Sequence, residues 1–284
     1  MHPILIYITK DFYIGTYGVM IAIGVFLGLF LAARRGKTIG FSEDFILDLS
    51  FYMILSGIIG ARLLFLIMNF QRFLEDPAGM AFSREGFVFL GGFITAIIVG
   101  WIYIKKKKIS FLKVADVLAP SLPLGHFFGR IGCFFAGCCY GKVCPPNLSF
   151  IGVSFPAVVN KKGELIGSFP YIDHLQQKLI SPDSTYSLPI FPTQLIEALA
   201  NLIIFIILNH LFKKRKFDGH ITALYLVLYP VARFFIEFLR GDADRKIWFG
   251  FISTSQILSI FFIAIAIWIF KTKSKKPKVL KKTL

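Results

Sequence analysis

Charge is scarce in this chain of 284 residues. Asp, Glu, Lys and Arg supply only 17% of it, against about a quarter in an ordinary soluble domain. Acids are scarcer still, 16 against 32 Lys and Arg, which leaves a formal net charge of +16. Cysteine is limited to four residues, and no paired C-x2-C is present, so neither a disulfide-stapled scaffold nor a standard zinc site is indicated. The sequence has no internal repeat and no polar stripe through successive apolar segments, which ranks a transporter built from inverted halves, or a channel, last. Residues 1–12 lack a basic n-region followed by a small-residue cleavage site, so no removable signal peptide is expected. What is abundant is apolar surface. Hydrophobic residues make up 56%, with 33 Phe. That excludes disorder and a soluble enzyme of this size. The Lys and Arg lie between apolar stretches and not over a folded polar face, so no nucleic-acid partner is expected.

Seven stretches approach the roughly 20 apolar residues that cross a bilayer. They are Tyr13–Ala33, Phe45–Met68, Phe87–Ile104, Phe111–Ala136, Thr193–Phe212, His220–Leu239 and Ile247–Phe270. The fourth is interrupted by Pro120, Pro123 and several glycines, a break that is tolerated at membrane depth only inside protein or beside a water-filled cavity. Alternate loops carry the basic clusters Arg34–Lys37, Lys105–Lys113, Lys213–Lys216 and Lys271–Lys282, together 19 of the 32 Lys and Arg. The positive-inside rule then places the N-terminus outside and the C-terminus in the cytoplasm. The predicted fold class is an all-α membrane protein with seven transmembrane helices. It forms a single polytopic domain over 1–284, with a Pro-rich outer-face head at 141–190 and a basic cytoplasmic tail at 271–284. The tail lysines serve as a stop signal or, alternatively, hold anionic lipid.

Ionisable side chains inside spans cost about 2.5–3.5 kcal/mol each on insertion scales. Here there are Arg62, Arg130, Glu197, Arg233, Glu237 and Arg240. Arg233, Glu237 and Arg240 fall at i, i+4 and i+7, one helical face. Internal pairing of Arg233 with Glu237 and of Arg62 with Glu197 absorbs part of the charge. Four arginines against two intramembrane acids leave positive charge over. Arginine cannot shed its proton, and its planar fork matches phosphate oxygens. A lipid phosphate is the natural missing partner, with Arg130 and Arg233 as leading candidates. Glycines surround Arg130 (Gly125, Gly129, Gly132, Gly137, Gly141), which permits close backbone approach and tight helix packing. Cys133, Cys138, Cys139 and Cys144 follow a C-x4-C-C-x4-C spacing. Buried cysteine is usually a small hydrophobe. A disulfide involving Cys144, and metal or redox chemistry, are the alternatives. His126 lies one turn before Arg130, either a hydrogen-bonded core residue or a participant in an anion site.

Several ordered blocks carry a resemblance. They are Tyr17-Gly18, Gly60-Ala61-Arg62, Leu74-Glu75-Asp76-Pro77, Gly86-Phe87-Val88-Phe89-Leu90-Gly91-Gly92, and Gly129-Arg130-Ile131-Gly132-x-Phe134-x-x-Gly137-x-x-Tyr140-Gly141. Pro192-Thr193-Gln194-Leu195-x-Glu197 and Tyr229-x-x-x-Arg233-Phe234-x-x-Glu237-x-x-Arg240-x-Asp242 follow. Together they resemble the bacterial prolipoprotein diacylglyceryl transferases. The resemblance implies a seven-span enzyme of the bacterial inner membrane, acting on phosphatidylglycerol and on preprolipoprotein signal peptides with a lipobox cysteine. It implies transfer of the diacylglyceryl group to the cysteine thiol, with loss of glycerol phosphate and no metal or cofactor. Arg130 and Arg233 then hold the phosphate, Glu237 orients Arg233, and Tyr17 donates to phosphate or headgroup. Gly129, Gly132, Gly141, Arg62, Gln194, Glu197 and Arg240 are the further substrate-binding candidates.

The chain departs from the family pattern at five places. Leu90 and Phe191 stand where the family usually has histidine, Cys133 and Ala136 where it has Asn, and Cys138 where it has Glu. Leu90 cannot accept a proton. Either the base role has moved, with His126 as the candidate, or the chain is a divergent homologue. Such a homologue would bind anionic phospholipid without transfer, or transfer a different group.

Overall fold

The computed structural model describes residues 3–9, 13–83, 86–159, 163, 168–242, 247–248 and 252–274. It is mostly helical, with two two-stranded antiparallel ribbons. Two compact units are present, one formed by Met1–Gly28 with Leu118–Leu284 and the other by Leu29–Val117.

Six helices among the described residues are long and apolar enough to cross a membrane: Thr16–Lys37, Glu43–Met68, Phe89–Lys106, Thr193–Lys214, His220–Leu239 and Thr254–Lys273. Their outward side chains are large and apolar, as lipid-facing positions require, with Phe26, Phe51 and Trp268 all exposed. The expected fourth span is two helices, Phe111–Leu118 and Ser121–Ala136. Pro120 separates them because it has no N–H to donate and its ring crowds the carbonyl four residues back. The second piece has 16 residues, short of the roughly 20 needed to span.

The unit of Leu29–Val117 contains the end of α1 (Thr16–Lys37), α2 (Glu43–Met68), α3 (Phe70–Glu75), α4 (Pro77–Phe82), α5 (Phe89–Lys106) and most of α6 (Phe111–Leu118). Ser42 caps α2, its hydroxyl accepting the Phe45 N–H at 3.1 Å, and Glu43 and Asp44 favour the positive end of the helix dipole. Helices α2 and α5 meet through glycine. A Cβ on Gly91 would lie 2.4 Å from the Gly60 carbonyl oxygen, and one on Gly92 2.7 Å from that of Gly57. Thr95 Oγ1 then donates across the seam to Ser56 O at 2.9 Å. In lipid, where apolar side chains gain nothing by leaving one solvent for another like it, such close packing and interhelical hydrogen bonding hold helices together.

The other unit begins with the ribbon of β1 (Ile4–Tyr7) and β2 (Tyr13–Gly15), which leads into α1. It continues with α7 (Ser121–Ala136), α8 (Phe169–Gln176), α9 (Thr193–Phe212), α10 (His220–Ile236), β3 (Ile247–Trp248), β4 (Ile252–Ser253) and α11 (Thr254–Lys273). Helix α9 packs on both α7 and α10, and α10 on α11. The last helix begins later than its hydropathy suggests. Ser253 and Gln256 form a capping box, with Gln256 N–H to Ser253 Oγ at 3.3 Å and Ser253 N–H to Gln256 Oε1 at 2.9 Å, and this fixes the start at Thr254. Residues 249–251 of the expected span, and 275–284 of the basic tail, lie outside the described residues.

The described residues of the segment 141–190 include α8 and a 3-10 turn at Pro146–Ile151, with backbone pairings Val143↔Ile190, Val153↔Ile190 and Pro156↔Tyr186. Its small core is Tyr140, Phe155 and Ile190, with Phe134 and Val153 packed against it. Tyr140 donates its hydroxyl to Asp173, and buried His174 accepts the Leu188 N–H on Nδ1 at 3.2 Å.

Candidate active site

Helices α7, α9 and α10 bring four of the sequence-predicted ionisable residues together. Glu197, on the first turns of α9, stands between two arginines. Its Oε1 is 3.0 Å from Arg130 of α7, and its Oε2 is 3.7 Å from Arg233 of α10. Arg233 also pairs with Glu237 at 2.6 Å. The expected pair of Arg62 with Glu197 is therefore replaced. Glu197 serves Arg130 and Arg233, while Arg62 donates to Gly86 O at 3.0 Å, to Ser83 Oγ at 2.9 Å and to the Met80 carbonyl. Its guanidinium also lies 5.4 Å from the rings of Phe65 and of Phe87. The excess positive charge inferred at Arg130 and Arg233 is also corrected, because two guanidiniums there face two carboxylates.

The balance of charge does not exhaust the donors. The carboxylates are sealed, with side-chain exposures of 3%, whereas Arg130 retains 20% and Arg233 14%. A guanidinium has five N–H donors in a fixed fork. Arg233 Nη1 has no hydrogen-bond partner among the described residues, since its 3.7 Å approach to Glu197 is too long for one. An unmatched donor on a buried cation costs more than a neutral one. The two acids thus hold two forks in place while leaving donor capacity open.

Arg240 leaves the helix face that its i+7 spacing implied. Helix α10 ends at Ile236, Glu237–Leu239 form a 3-10 turn, and Arg240 is extended. Its Nε donates to Asp242 at 2.6 Å, and its backbone pairs with Gly141. The remaining predicted residues line the same unit. Tyr17 lies over Gly132, where a Cβ would meet its ring at 3.0 Å. A Cβ on Gly129 would come within 3.3 Å of Ile21. Gly141 accommodates the Phe191 carbonyl oxygen, 2.4 Å from where a Cβ would stand. Gln194, fully buried, donates to Cys138 O at 2.8 Å. The His126 ring sits 4.9 Å from that of Tyr229, and Tyr229 interacts with Arg130.

Sequence reasoning passed over Asn201. It is buried one turn beyond Glu197, donates to Glu197 O at 2.8 Å and lies within reach of His126. Its i+4 spacing from Glu197 was the signal that places it on this face. The second surprise is sulfur. The thiols of Cys133, Cys138 and Cys139 lie within 4.8 Å of one another, and all four cysteines are free thiols. The turn that gathers them is strained at one point. Gly137 closes α7 in the left-handed region at φ 74°, and Cys139 follows at φ 58°, a conformation that costs a non-glycine residue about 1–2 kcal/mol. Cys144, for which a disulfide was the alternative to a small buried hydrophobe, is a free, buried thiol apart from that group, beside Gly152.

A family model described as prolipoprotein diacylglyceryl transferase matches residues 3–272. A Clostridium tetani protein named phosphatidylglycerol--prolipoprotein diacylglyceryl transferase is 34% identical over 254 residues, covering 89% of this chain and 91% of its own. A Clostridium perfringens protein with the same name and the suffix 2 is 31% identical over 265 residues, 93% of this chain and 92% of its own. A Finegoldia magna protein of that name is 32% identical over 262 residues, 92% of this chain and 91% of its own. With a buried arginine–glutamate cluster on apolar helices and a match along nearly its whole length, this chain belongs to the prolipoprotein diacylglyceryl transferase family.

Proposed function

We propose that this protein transfers the diacylglyceryl group of phosphatidylglycerol to the lipobox cysteine thiol of a preprolipoprotein. It acts as a multi-pass enzyme at the outer leaflet of a bacterial inner membrane, with seven spans, its N-terminus outside and its C-terminus in the cytoplasm. The observation that carries the reading is the Arg130–Glu197–Arg233–Glu237 cluster with its open Arg233 donor.

The chemistry follows from charge. Phosphatidylglycerol is a diester with one negative charge. As the thiolate attacks the glyceryl carbon, the S–C bond forms and the C–O bond to phosphate breaks. The electron pair leaves on the phosphate oxygen, so the departing glycerol phosphate gains a second negative charge. Donors fixed in advance around that oxygen, in a site poor in water, stabilise the developing charge without reorganising. Arg130 and Arg233 supply those donors. Glu197 and Glu237 hold the forks in place by ion pairing, and Tyr17 offers a hydroxyl to the headgroup. An acceptor thiol has a pKa near ~8.5 and reacts as thiolate. His126, one turn before Arg130 on α7, is the candidate to take its proton.

Release of glycerol phosphate from headgroup-labelled phosphatidylglycerol tests the reading. Release should require a peptide with a lipobox cysteine. It should fall by about 10²–10³-fold in Arg233→Ala and Arg130→Ala, the usual loss when one such donor is removed. Full release in both variants would contradict it. Alkaline phosphatase inserted in the 141–190 head should be active, and a fluorescent protein at the C-terminus should fold. The reverse pattern would overturn the orientation.

A further inference from the structure

Nothing in the arrangement of the arginines uses the three thiols next to them. Cys133 lies in the last turns of α7, three residues after Arg130 and on the same face. Tyr17 packs against Gly132, the residue before Cys133, and the backbone of Arg240 pairs with Gly141, two residues after Cys139. The turn that presents them is held rigid from outside itself. Cys138 N–H donates to Cys133 O at 3.1 Å, Gln194 to Cys138 O at 2.8 Å and Thr193 Oγ1 to Cys139 O at 3.0 Å. Three sulfurs within 4.8 Å are close to what one metal ion needs, since Zn–S bonds of about 2.3 Å set the sulfurs about 4 Å apart. Small side-chain rotations close the difference.

We infer that Cys133, Cys138 and Cys139 bind one thiophilic metal ion, Zn2+ in the first instance, and that its open fourth position takes the acceptor thiol of the lipobox peptide. The inference rests on the transferase reading above. Thiolate ligands select soft or borderline cations, and three protein ligands with one open position are the pattern of a reactive zinc site and not of a structural one. Three thiolates and a divalent ion carry one net negative charge, close to Arg130 and Arg240, whose own charges are balanced by Glu197 and Asp242. Binding releases the three thiol protons to solvent. The incoming substrate thiol loses its own proton to solvent as it becomes the fourth ligand. It then holds a nucleophile beside the phosphate-binding arginines at neutral pH. The S–C bond forms at that sulfur as the C–O bond to phosphate breaks, and the electron pair leaves on glycerol phosphate as before. Activation by a metal removes the need for a side-chain base at position 90, which is Leu here.

The full-length protein, purified in detergent under anaerobic reducing conditions and titrated with Zn2+ against a chromophoric chelator, should bind one equivalent. Cys139→Ser and Cys138→Ser should each weaken binding by at least tenfold, while Cys144→Ser, in the head, should not. Because a cysteine variant can fail to fold, the unaltered protein gives a second reading. X-ray absorption at the zinc edge should show three sulfur neighbours, rising to four when a lipobox peptide is added, and not when its cysteine is replaced by serine. Failure to bind Zn2+, or a mass showing that two of the three thiols are joined as a disulfide, would overturn the site. Bound Zn2+ whose coordination ignores the peptide would overturn the catalytic assignment. Glycerol phosphate release that survives removal of all metal would overturn the inference and leave the transferase reading standing. A peptide that enters the zinc shell without any release would remove the transferase reading and keep the site.

Discussion

At the level of single residues, Glu197 is the joint of the arginine–glutamate cluster proposed as the active site. It neutralises two arginines from two different helices, and both its oxygens are sealed from solvent. Glu197→Gln should therefore destabilise the protein by about 3–5 kcal/mol, the usual result of removing one partner of a buried ion pair. Denaturant unfolding in detergent would show it, and a loss below about 1 kcal/mol would mean that the arginines reach solvent without their acid. His174 makes a second test. Burial holds its pKa below the usual imidazole range, with Asp173 opposing in part, and its Nδ1 must stay unprotonated to accept the Leu188 N–H. The unfolded chain takes up this proton as pH falls through about 6.5, while the folded chain does so only at lower pH. Stability is thus full above that pH and declines below it. Unfolding temperatures compared at about pH 7.5 and about pH 5.5 should fall for the parent and fall less for His174→Gln. An equal fall in both would remove His174 from the account. Of the site's residues, the identities of Arg130, Arg233, Glu197 and Glu237 were legible from their apolar context. Their partners were legible only where they share a helix, as Arg233 and Glu237 do at i, i+4. Spacing along a chain says nothing about which side chains meet across helices, so Arg62 was matched to an acid that pairs with Arg130 and Arg233 instead.

Among the elements, boundaries were legible wherever a local chemical stop exists. Helix α9 spans Thr193–Phe212 as the sequence suggests, because Pro192 precedes it and basic residues follow it. The break before α7 was visible in Pro120, but its consequence, a segment divided into two helices, depends on tertiary support that hydropathy does not report. The late start of α11 was missed because Ile247, Trp248 and Ile252 are apolar enough to pass for helix, and only the Ser253–Gln256 cap decides. The turn after α7 is the element most exposed to test. At Gly137, φ is 74° and a Cβ would stand 2.7 Å from Ser168 Cα. Gly137→Ala should cost more than about 1 kcal/mol and should displace the thiols along with the turn. Where α2 crosses α5, Gly91→Leu would drive a side chain into the Gly60 carbonyl. Its unit should then unfold at lower temperature, and an unchanged melting temperature would contradict the glycine seam.

At the scale of the whole molecule, the class was open to reading from composition alone. A chain that is 56% hydrophobic, with 32 Lys and Arg against 16 acids, has no stable solution other than apolar helices with charged loops. The thiol cluster was illegible for the opposite reason, because C-x4-C-C matches no metal pattern as a string and becomes three adjacent sulfurs only when the turn folds. The central claim is that the arginines hold the phosphate while the diacylglyceryl group passes to a thiol. The most direct test is the mass of a lipobox peptide after incubation with the purified protein and phosphatidylglycerol. A gain of one diacylglyceryl group on the peptide's cysteine, absent with Arg233→Ala, is the predicted result. An unmodified peptide, with the protein folded and lipid bound, would contradict it.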